Sequence, residues 1–225
     1  MGVVVVILLV IVAIAYFKVS GDSVEVKKRS KGRTQTQKNV IRYFVNDGCL
    51  QKKMKDEEYD ALVQAYVSQQ DFKQKALNKI GLDESELKEI EPVHFEGYRF
   101  DKNAFSKYGK DNKPRSSCYQ TSWLFFSASQ VYLYQYTFNM DEDGKGETTD
   151  EYFYKDITSF STSSDTVETK FWIPKEKKWV LKNVDSHRFQ MSVMGEKFYC
   201  ALKQTDENER AIQAMKAKLR EKKSV

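Results

Sequence analysis

Few residues in the sequence have the types and the spacing that catalysis requires. His187 follows Asp185 and Ser186, which reproduces the composition of a hydrolase triad, but adjacent residues do not face one another. The other histidine, His94, lies far away in the chain, and no Cys-x-x-Cys pair accompanies either of them. This spacing gives no recognisable set of zinc ligands. We therefore expect that the chain is not an enzyme and uses no metal or cofactor.

An acidic stretch over residues 139–150 is a second candidate for chemistry. Its carboxylates alternate along the chain and Gly144 stands at the sixth place, as in a calcium-binding loop. Such a loop needs flanking helices and a bidentate Glu at its twelfth place, whereas strands flank this stretch and Asp150 stands there. We predict a solvated hairpin loop that turns at Asp143-Gly144.

Length and charge limit the class of protein. The chain has 225 residues, 40% hydrophobic and 31% charged, which predicts one main domain with an appendage rather than a disordered chain. The 37 Lys and Arg residues exceed the 32 Asp and Glu residues by five, an excess too small and dispersed to predict a nucleic-acid partner. The three cysteines are too far apart to form the framework of a small disulfide-rich domain.

The clearest pattern is an apolar run from Val3 to Phe17 without a charged residue. It predicts a transmembrane anchor over residues 1–19, at the short end of the length that crosses a bilayer. The alternative is a cleaved signal peptide, because Ala13-Ile14-Ala15 matches the small-x-small pattern of a cleavage site, although no basic residue precedes the run. The anchor residues are Val3, Leu8, Leu9, Ile11, Ile14, Tyr16 and Phe17.

Basic residues follow the apolar run. From Lys18 to Arg42 there are eight Lys or Arg residues against Asp22 and Glu25, so the positive-inside rule places the carboxy-terminal side in the cytoplasm. The predicted location is therefore the cell membrane, with one span and the bulk of the chain cytoplasmic. Residues 20–35 form a predicted basic linker, which either contacts anionic headgroups or only determines the topology. Its membrane-surface residues, with the preceding lysine, are Lys18, Lys27, Lys28, Arg29, Lys31 and Arg33.

Apolar residues recur at helical spacing within 40–45, 59–67 and 72–80, which predicts a small helical spacer over residues 36–92. Gly81 is placed to end the third helix, and Asp83 with Glu86 has the spacing of a capping box for a helix over 84–90. That last helix would be acidic, which argues against a DNA-binding helix-turn-helix.

From His94 onwards, aromatic and β-branched runs alternate with polar loops, which predicts strands. A tight turn is predicted at Met194-Gly195-Glu196, and a change of period from two to 3.6 predicts a closing amphipathic helix over 206–223. The predicted strands are His94–Phe100, Cys118–Ser127, Gln130–Met140, Asp150–Phe160, Thr166–Ile173, Trp179–Val184, Arg188–Val193 and Lys197–Leu202.

Three stretches resemble a known family. They are Trp123-Leu-Phe-Phe-Ser-Ala-Ser-Gln-Val-Tyr132, Glu151-Tyr-Phe-Tyr-Lys-Asp-Ile157 and the closing helix, and they are similar to bacterial PH-like and GRAM-type domains of the pleckstrin-homology-like superfold. The resemblance covers roughly residues 94–223 and rests on strand order rather than on a catalytic motif. It implies an α+β fold in which residues 93–225 form a partly open antiparallel barrel of about seven strands, capped by the helix. Relatives of this kind mostly bind lipids, peptides or proteins.

Lysines interleave with two tryptophans between residues 170 and 182. This mixture is typical of a surface that binds a membrane or a partner, and equally of a charged hairpin rim around two packed tryptophans. The candidate lipid-binding or partner-binding residues are Lys170, Trp172, Lys175, Lys177, Lys178 and Trp179.

Together, these patterns predict a single-pass, membrane-anchored, non-catalytic adaptor. Its cytoplasmic PH-like domain would bind a protein partner by groove docking or by strand addition at an open barrel edge. The alternatives are a module that binds anionic lipids at the membrane surface and an exported ligand-binding β-domain left after signal cleavage. The sequence determines neither the partner nor the oligomeric state.

Overall fold

The computed structural model describes residues 22–45, 53–83, 85 and 91–223. Its helices are α1 (Val24–Arg29), α2 (Gln35–Val45), α3 (Asp56–Ser68), α4 (Phe72–Ile80) and α5 (Asp206–Lys223). Its strands are β1 (Val93–Arg99), β2 (Phe105–Tyr108), β3 (Pro114–Ser116), β4 (Cys118–Phe126), β5 (Gln130–Asn139), β6 (Lys145–Phe153), β7 (Ile157–Ile173), β8 (Lys178–Val193) and β9 (Glu196–Ala201).

The strands form two sheets, one in the order β1-β4-β5-β6 and the other in the order β3-β2-β7-β8-β9. β2 pairs with β7 in parallel, and the other pairs of described strands are antiparallel. The two sheets meet where β1 approaches the end of β9, since Lys203 N donates to the Glu96 carbonyl at 3.0 Å. Gly97 permits this approach, because a Cβ atom there would lie 3.2 Å from Leu202 N.

The apolar core lies between the sheets. Leu124 and Leu133 from the first sheet pack with Phe189 and Met191 from the second, and none of these side chains is more than 1% exposed. α5 closes this core through one stripe, to which Ile212, Met215 and Leu219 contribute at helical spacing.

The other face of the first sheet is covered by helices. Tyr66 of α3 lies 4.3 Å from Phe138 of β5, and Phe72 of α4 lies 4.8 Å from Tyr136 of the same strand, measured between ring centroids. The alternating tyrosines of β5 therefore face the helices, while Val131 and Leu133 face the other sheet. Both faces of this strand are packed.

The ends of α4 show how local sequence determines a helix. The Asp71 carboxylate accepts a hydrogen bond from Gln74 N at 3.0 Å, which satisfies one of the free amides of the first turn. Gly81 ends the helix with a left-handed conformation, at φ 78°, as its position in the sequence predicts. The predicted helix over 84–90 lies, apart from Ser85, outside the described residues.

The predicted fold class is wrong in two respects. The described residues form nine strands in two sheets instead of a single partly open barrel of about seven strands. Part of the difference is the β2–β3 hairpin, which folds within a stretch that has the polar composition of a loop. The second respect is the transmembrane helix, since the described part of the chain contains no helix with the length and apolar character needed to cross a bilayer. The anchor residues Val3 to Phe17 themselves lie outside the described residues.

Candidate functional site

Trp172 and Trp179 lie directly opposite each other on β7 and β8, beside the turn that joins these strands. Their rings meet edge to face with centroids 5.4 Å apart. Trp172 is 9% exposed and packs in a cluster with Val26 of α1 and Ile41 and Val45 of α2. The two tryptophans thus hold the amino-terminal helices against the hairpin.

The lysines predicted to accompany these tryptophans lie at the surface. Lys175, Lys177 and Lys178 are exposed at the β7–β8 turn, and Lys170 is half-buried on β7. Lys177 adopts a left-handed conformation, at φ 49°, and Lys178 pairs with Glu176 at 2.6 Å. The turn therefore presents cations to solvent while its tryptophans face inward.

The predicted basic linker is folded onto this hairpin from residue 22 onwards. Trp179 Nε1 donates to the Glu25 carboxylate at 2.7 Å, and the Arg29 guanidinium lies 5.0 Å from the Trp179 ring. Burial alone would raise the pKa of Glu25, but the hydrogen bonds from Trp179 and Arg29 lower it. Arg33 pairs with Glu142 at 2.9 Å.

Three other linker cations, Lys27, Lys28 and Lys31, are exposed. The structure therefore brings the two predicted basic segments together at one end of the β7–β8 hairpin. Lys18 lies outside the described residues.

A polar cluster that sequence reasoning missed joins α3 to the β2–β3 hairpin. Arg115, 5% exposed, donates to the Asp60 carboxylate at 2.7 and 2.8 Å and to the Asp111 carboxylate at 2.9 and 3.0 Å. The hydrogen bonds from Arg115 lower the pKa of Asp111. Tyr98 donates to Asp60 at 2.6 Å, and burial raises the pKa of this tyrosine far above its ordinary value. Asp60 and Arg115 are 55 residues apart, so no local spacing could have indicated the pair.

A polar cleft opens between the two sheets beside the apolar core. Two adjoining pockets, of about 500 and 440 Å³, share Arg99, Asp101, Gln120 and Gln135 in their walls. Gln120 accepts a hydrogen bond from Ala201 N at 2.8 Å, and Gln135 donates to the Tyr199 carbonyl at 2.8 Å. These amides join the first sheet to β9, so their contacts explain the polar wall without a ligand.

A larger pocket, of about 720 Å³, lies beside the Arg115 cluster. Its wall includes the aromatic rings of Tyr98, Tyr108 and Tyr119. The polar groups of two of these rings are already used within the protein, because Tyr98 donates to Asp60 and the Tyr119 hydroxyl accepts from Gln64 at 3.1 Å. Only Tyr108 among the three is largely exposed, at 47%.

The edge strand β6 offers a different kind of binding surface. It has nine residues, pairs only with β5 in its sheet, and is exposed along most of its length. The other described sheet ends are short or covered, since β3 has three residues and β1 approaches β9. β6 is thus a long accessible edge within the described part of the chain.

The register of β6 determines which of its backbone groups face outward. Asn139 N donates to the Gly144 carbonyl, and Tyr154 N donates to the Ser129 carbonyl. The even-numbered residues of β6 therefore form the hydrogen-bonded pairs, each with an odd-numbered residue of β5. The odd-numbered residues therefore direct their backbone N–H and C=O groups to the free edge. They are Lys145, Glu147, Thr149, Glu151 and Phe153.

The described cysteines are buried, and the two histidines hydrogen-bond to polar side chains. Burial raises the pKa values of the Cys118 and Cys200 thiols to about 12, which keeps both protonated at neutral pH. His94 bonds Thr121 Oγ1 at 2.7 Å, and His187 bonds Gln204 at 3.1 Å. Neither histidine is positioned by these bonds to activate a thiol.

No family model, curated protein or solved structure matches the chain. The resemblance to PH-like and GRAM-type domains therefore stays a prediction.

Proposed function

We propose that the chain is a non-catalytic binding module in which β6 receives an extended segment of a protein partner as an additional strand. The accessible edge of β6 carries this proposal, because the backbone groups of its odd-numbered residues face outward. Main-chain hydrogen bonds of this kind supply affinity, and side chains at alternate positions supply specificity.

The charges of β6 favour a basic partner. The strand contains Glu147, Asp150 and Glu151 against Lys145, and Lys79 of α4 already pairs with Glu147 at 2.6 Å. A second copy of β6 would place carboxylates near carboxylates, which is destabilising in a sheet. A strand with Lys or Arg at alternate positions would instead complement this edge.

The aromatic pocket beside Arg115 is a less suitable place for a partner segment. Arg115 beside this pocket is not free to bind a partner, because it already donates to the carboxylates of Asp60 and Asp111. Addition of a strand to β6 breaks no internal bond of this kind, because the outward backbone N–H and C=O groups of β6 face solvent.

A peptide-display selection tests the proposal with a defined probe. We would select random nine-residue peptides against the purified full chain, matching the length of β6. Enriched peptides are expected to alternate β-branched and basic residues. Their affinity is then measured for Thr149→Pro and for the matched control Thr149→Ala.

Thr149→Pro removes an outward N–H without removing a bond to β5, and proline is tolerated at sheet edges. We expect Thr149→Pro to weaken peptide binding roughly tenfold, because the added strand loses a main-chain hydrogen bond and the proline ring disturbs the edge on which it pairs. Thr149→Ala should bind as the wild type does. Equal binding by both variants, with unchanged unfolding temperatures, would rule out strand addition at β6.

A further inference from the structure

Basic residues are dispersed along the chain, but the fold brings two basic segments together. Residues 24–31, which comprise α1 and the next two positions, have four basic residues and one Glu, and residues 174–179 at the β7–β8 turn have three Lys and one Glu. Their joint charge of +5 equals the net charge of the whole chain, so charges cancel elsewhere. We call these two segments the basic pole.

The two segments are held together by specific contacts. Trp179, at the start of β8, donates to Glu25 of α1 at 2.7 Å and stacks on Phe105 with ring centroids 4.4 Å apart. The Arg29 guanidinium lies 4.8 and 5.0 Å from the centroids of these two rings. Val26 of α1, 1% exposed, packs in the same cluster as Trp172. The basic pole is therefore a fixed surface rather than two independent loops.

The acidic groups of the basic pole are used internally. Glu25 binds Arg29 and Trp179, and Glu176 pairs with Lys178 at 2.6 Å. The cations presented to solvent are Lys27, Lys28, Lys31, Lys175 and Lys177. Such a surface complements a dense array of negative charge.

Two observations favour a lipid surface over a nucleic acid. Val24 stands at the start of α1 with 85% of its surface exposed, an apolar group that a bilayer interface accommodates and a phosphate backbone does not. Trp172 is buried and Trp179 packs against α1, so neither offers a free face for stacking bases. We infer that the basic pole binds the surface of bilayers that contain anionic lipids.

Vesicle flotation with the full chain tests this inference. The probes are vesicles of phosphatidylcholine alone and vesicles with about 30% phosphatidylserine, a fraction that gives a negative surface potential. Binding to the neutral vesicles measures any contribution of the apolar residues 3–17, which does not depend on lipid charge. The difference between the two probes measures the basic pole.

The decisive variant is Lys175→Glu with Lys177→Glu. Each cation near an anionic surface contributes to binding, so two reversals should lower the charge-dependent binding roughly tenfold or more. The matched control is Lys155→Glu with Lys197→Glu, which changes two exposed lysines near the opposite end of the β7–β8 hairpin. This control should bind as the wild type does. Raising the salt concentration should weaken the binding of the wild type and of the control to the anionic vesicles.

A third variant distinguishes lipid from nucleic acid. Val24→Ser keeps every charge and should weaken binding to the anionic vesicles severalfold while leaving binding to a duplex oligonucleotide unchanged. The inference fails if the double reversal and its control bind anionic vesicles equally. It also fails if the double reversal affects only the oligonucleotide.

Discussion

Arg115 shows why a count of charges says little about where a charge acts. It is one of 37 basic residues, yet it is 5% exposed and donates to two carboxylates on different elements. A buried cation is stable only with such partners, and removing one member of a buried pair leaves the others uncompensated. The same geometry removes Arg115 from consideration as a free binding group in the adjoining pocket.

Arg115→Ala should therefore destabilise the protein. We expect a loss of about 2–3 kcal/mol at neutral pH, less than for a wholly buried pair, because Asp60 and Asp111 are about two-fifths exposed. Arg115→Lys should recover part of this loss, since it keeps the charge but not the two-pronged geometry. Urea unfolding monitored by circular dichroism measures both, and equal stability of Arg115→Ala and the wild type would contradict the prediction.

The pH dependence of this cluster has a definite sign. Hydrogen bonds from Arg115 lower the pKa of Asp111 in the folded protein. Its stabilising contribution is therefore fully present above the ordinary pKa of about 4 and is lost as the pH falls towards the lowered folded value. The unfolding free energy of the wild type should decrease in this acid range, and Arg115→Ala should show a smaller decrease over the same range.

At the scale of elements, the spacing of apolar residues predicted the helices and strands that bury one apolar face. The bounds predicted for the final helix are those of α5, and the predicted turn at Met194-Gly195 joins β8 to β9 with both residues at positive φ. The middle of β7 was missed, because Ser161 to Asp165 has the composition of a loop. That stretch is a strand because its backbone pairs with β8 throughout, and this partner cannot be inferred from side-chain patterns.

The candidate surfaces depend on such pairings. The lysines of the β7–β8 turn could be found from the sequence, but their proximity to α1 depends on the contact between Glu25 and Trp179, which are 154 positions apart. The same holds for β6, whose residues were predicted in part as a loop. Its role as an edge follows from the order of strands in the sheet rather than from its own composition.

The junction of β1 and β9 leads to a prediction about one glycine. A Cβ atom at Gly97 would lie 3.2 Å from Leu202 N and 3.3 Å from Leu202 C, and backbone atoms cannot turn aside as a side chain can. Gly97→Ala should cost about 1–2 kcal/mol of unfolding free energy, and Gly97→Val more. Gly146→Ala on β6 is the matched control, because nothing lies within 4 Å of its Cβ position. If both alanine variants unfold at the same urea concentration, β1 and β9 can move apart to admit a Cβ atom at little cost, and the prediction is wrong.

At the scale of the whole molecule, the first sheet lies between two apolar layers. Its inner face packs against the second sheet and α5, and its outer face packs against α2, α3 and α4. The sequence predicted the helices as a spacer ahead of a separate β-domain, since each helical stripe is compatible with several partners. The contacts of Tyr66 and Phe72 with β5 instead argue that the helices and the sheets unfold together.

Phe72 tests this cooperativity. It is 3% exposed and packs with Phe125 and Tyr134 on the outer face of the sheet, so Phe72→Ala should lower the unfolding free energy by about 3–4 kcal/mol. The transition followed by far-ultraviolet circular dichroism, which senses the helices, should coincide with that followed by tryptophan fluorescence, which senses Trp123 on β4 and the β7–β8 hairpin. Gln74→Ala, at an exposed position of the same helix, should change stability by less than about 0.5 kcal/mol. If the helical signal of Phe72→Ala is lost at a lower urea concentration than the tryptophan signal, α4 unfolds independently, and the predicted separate spacer is then the better description.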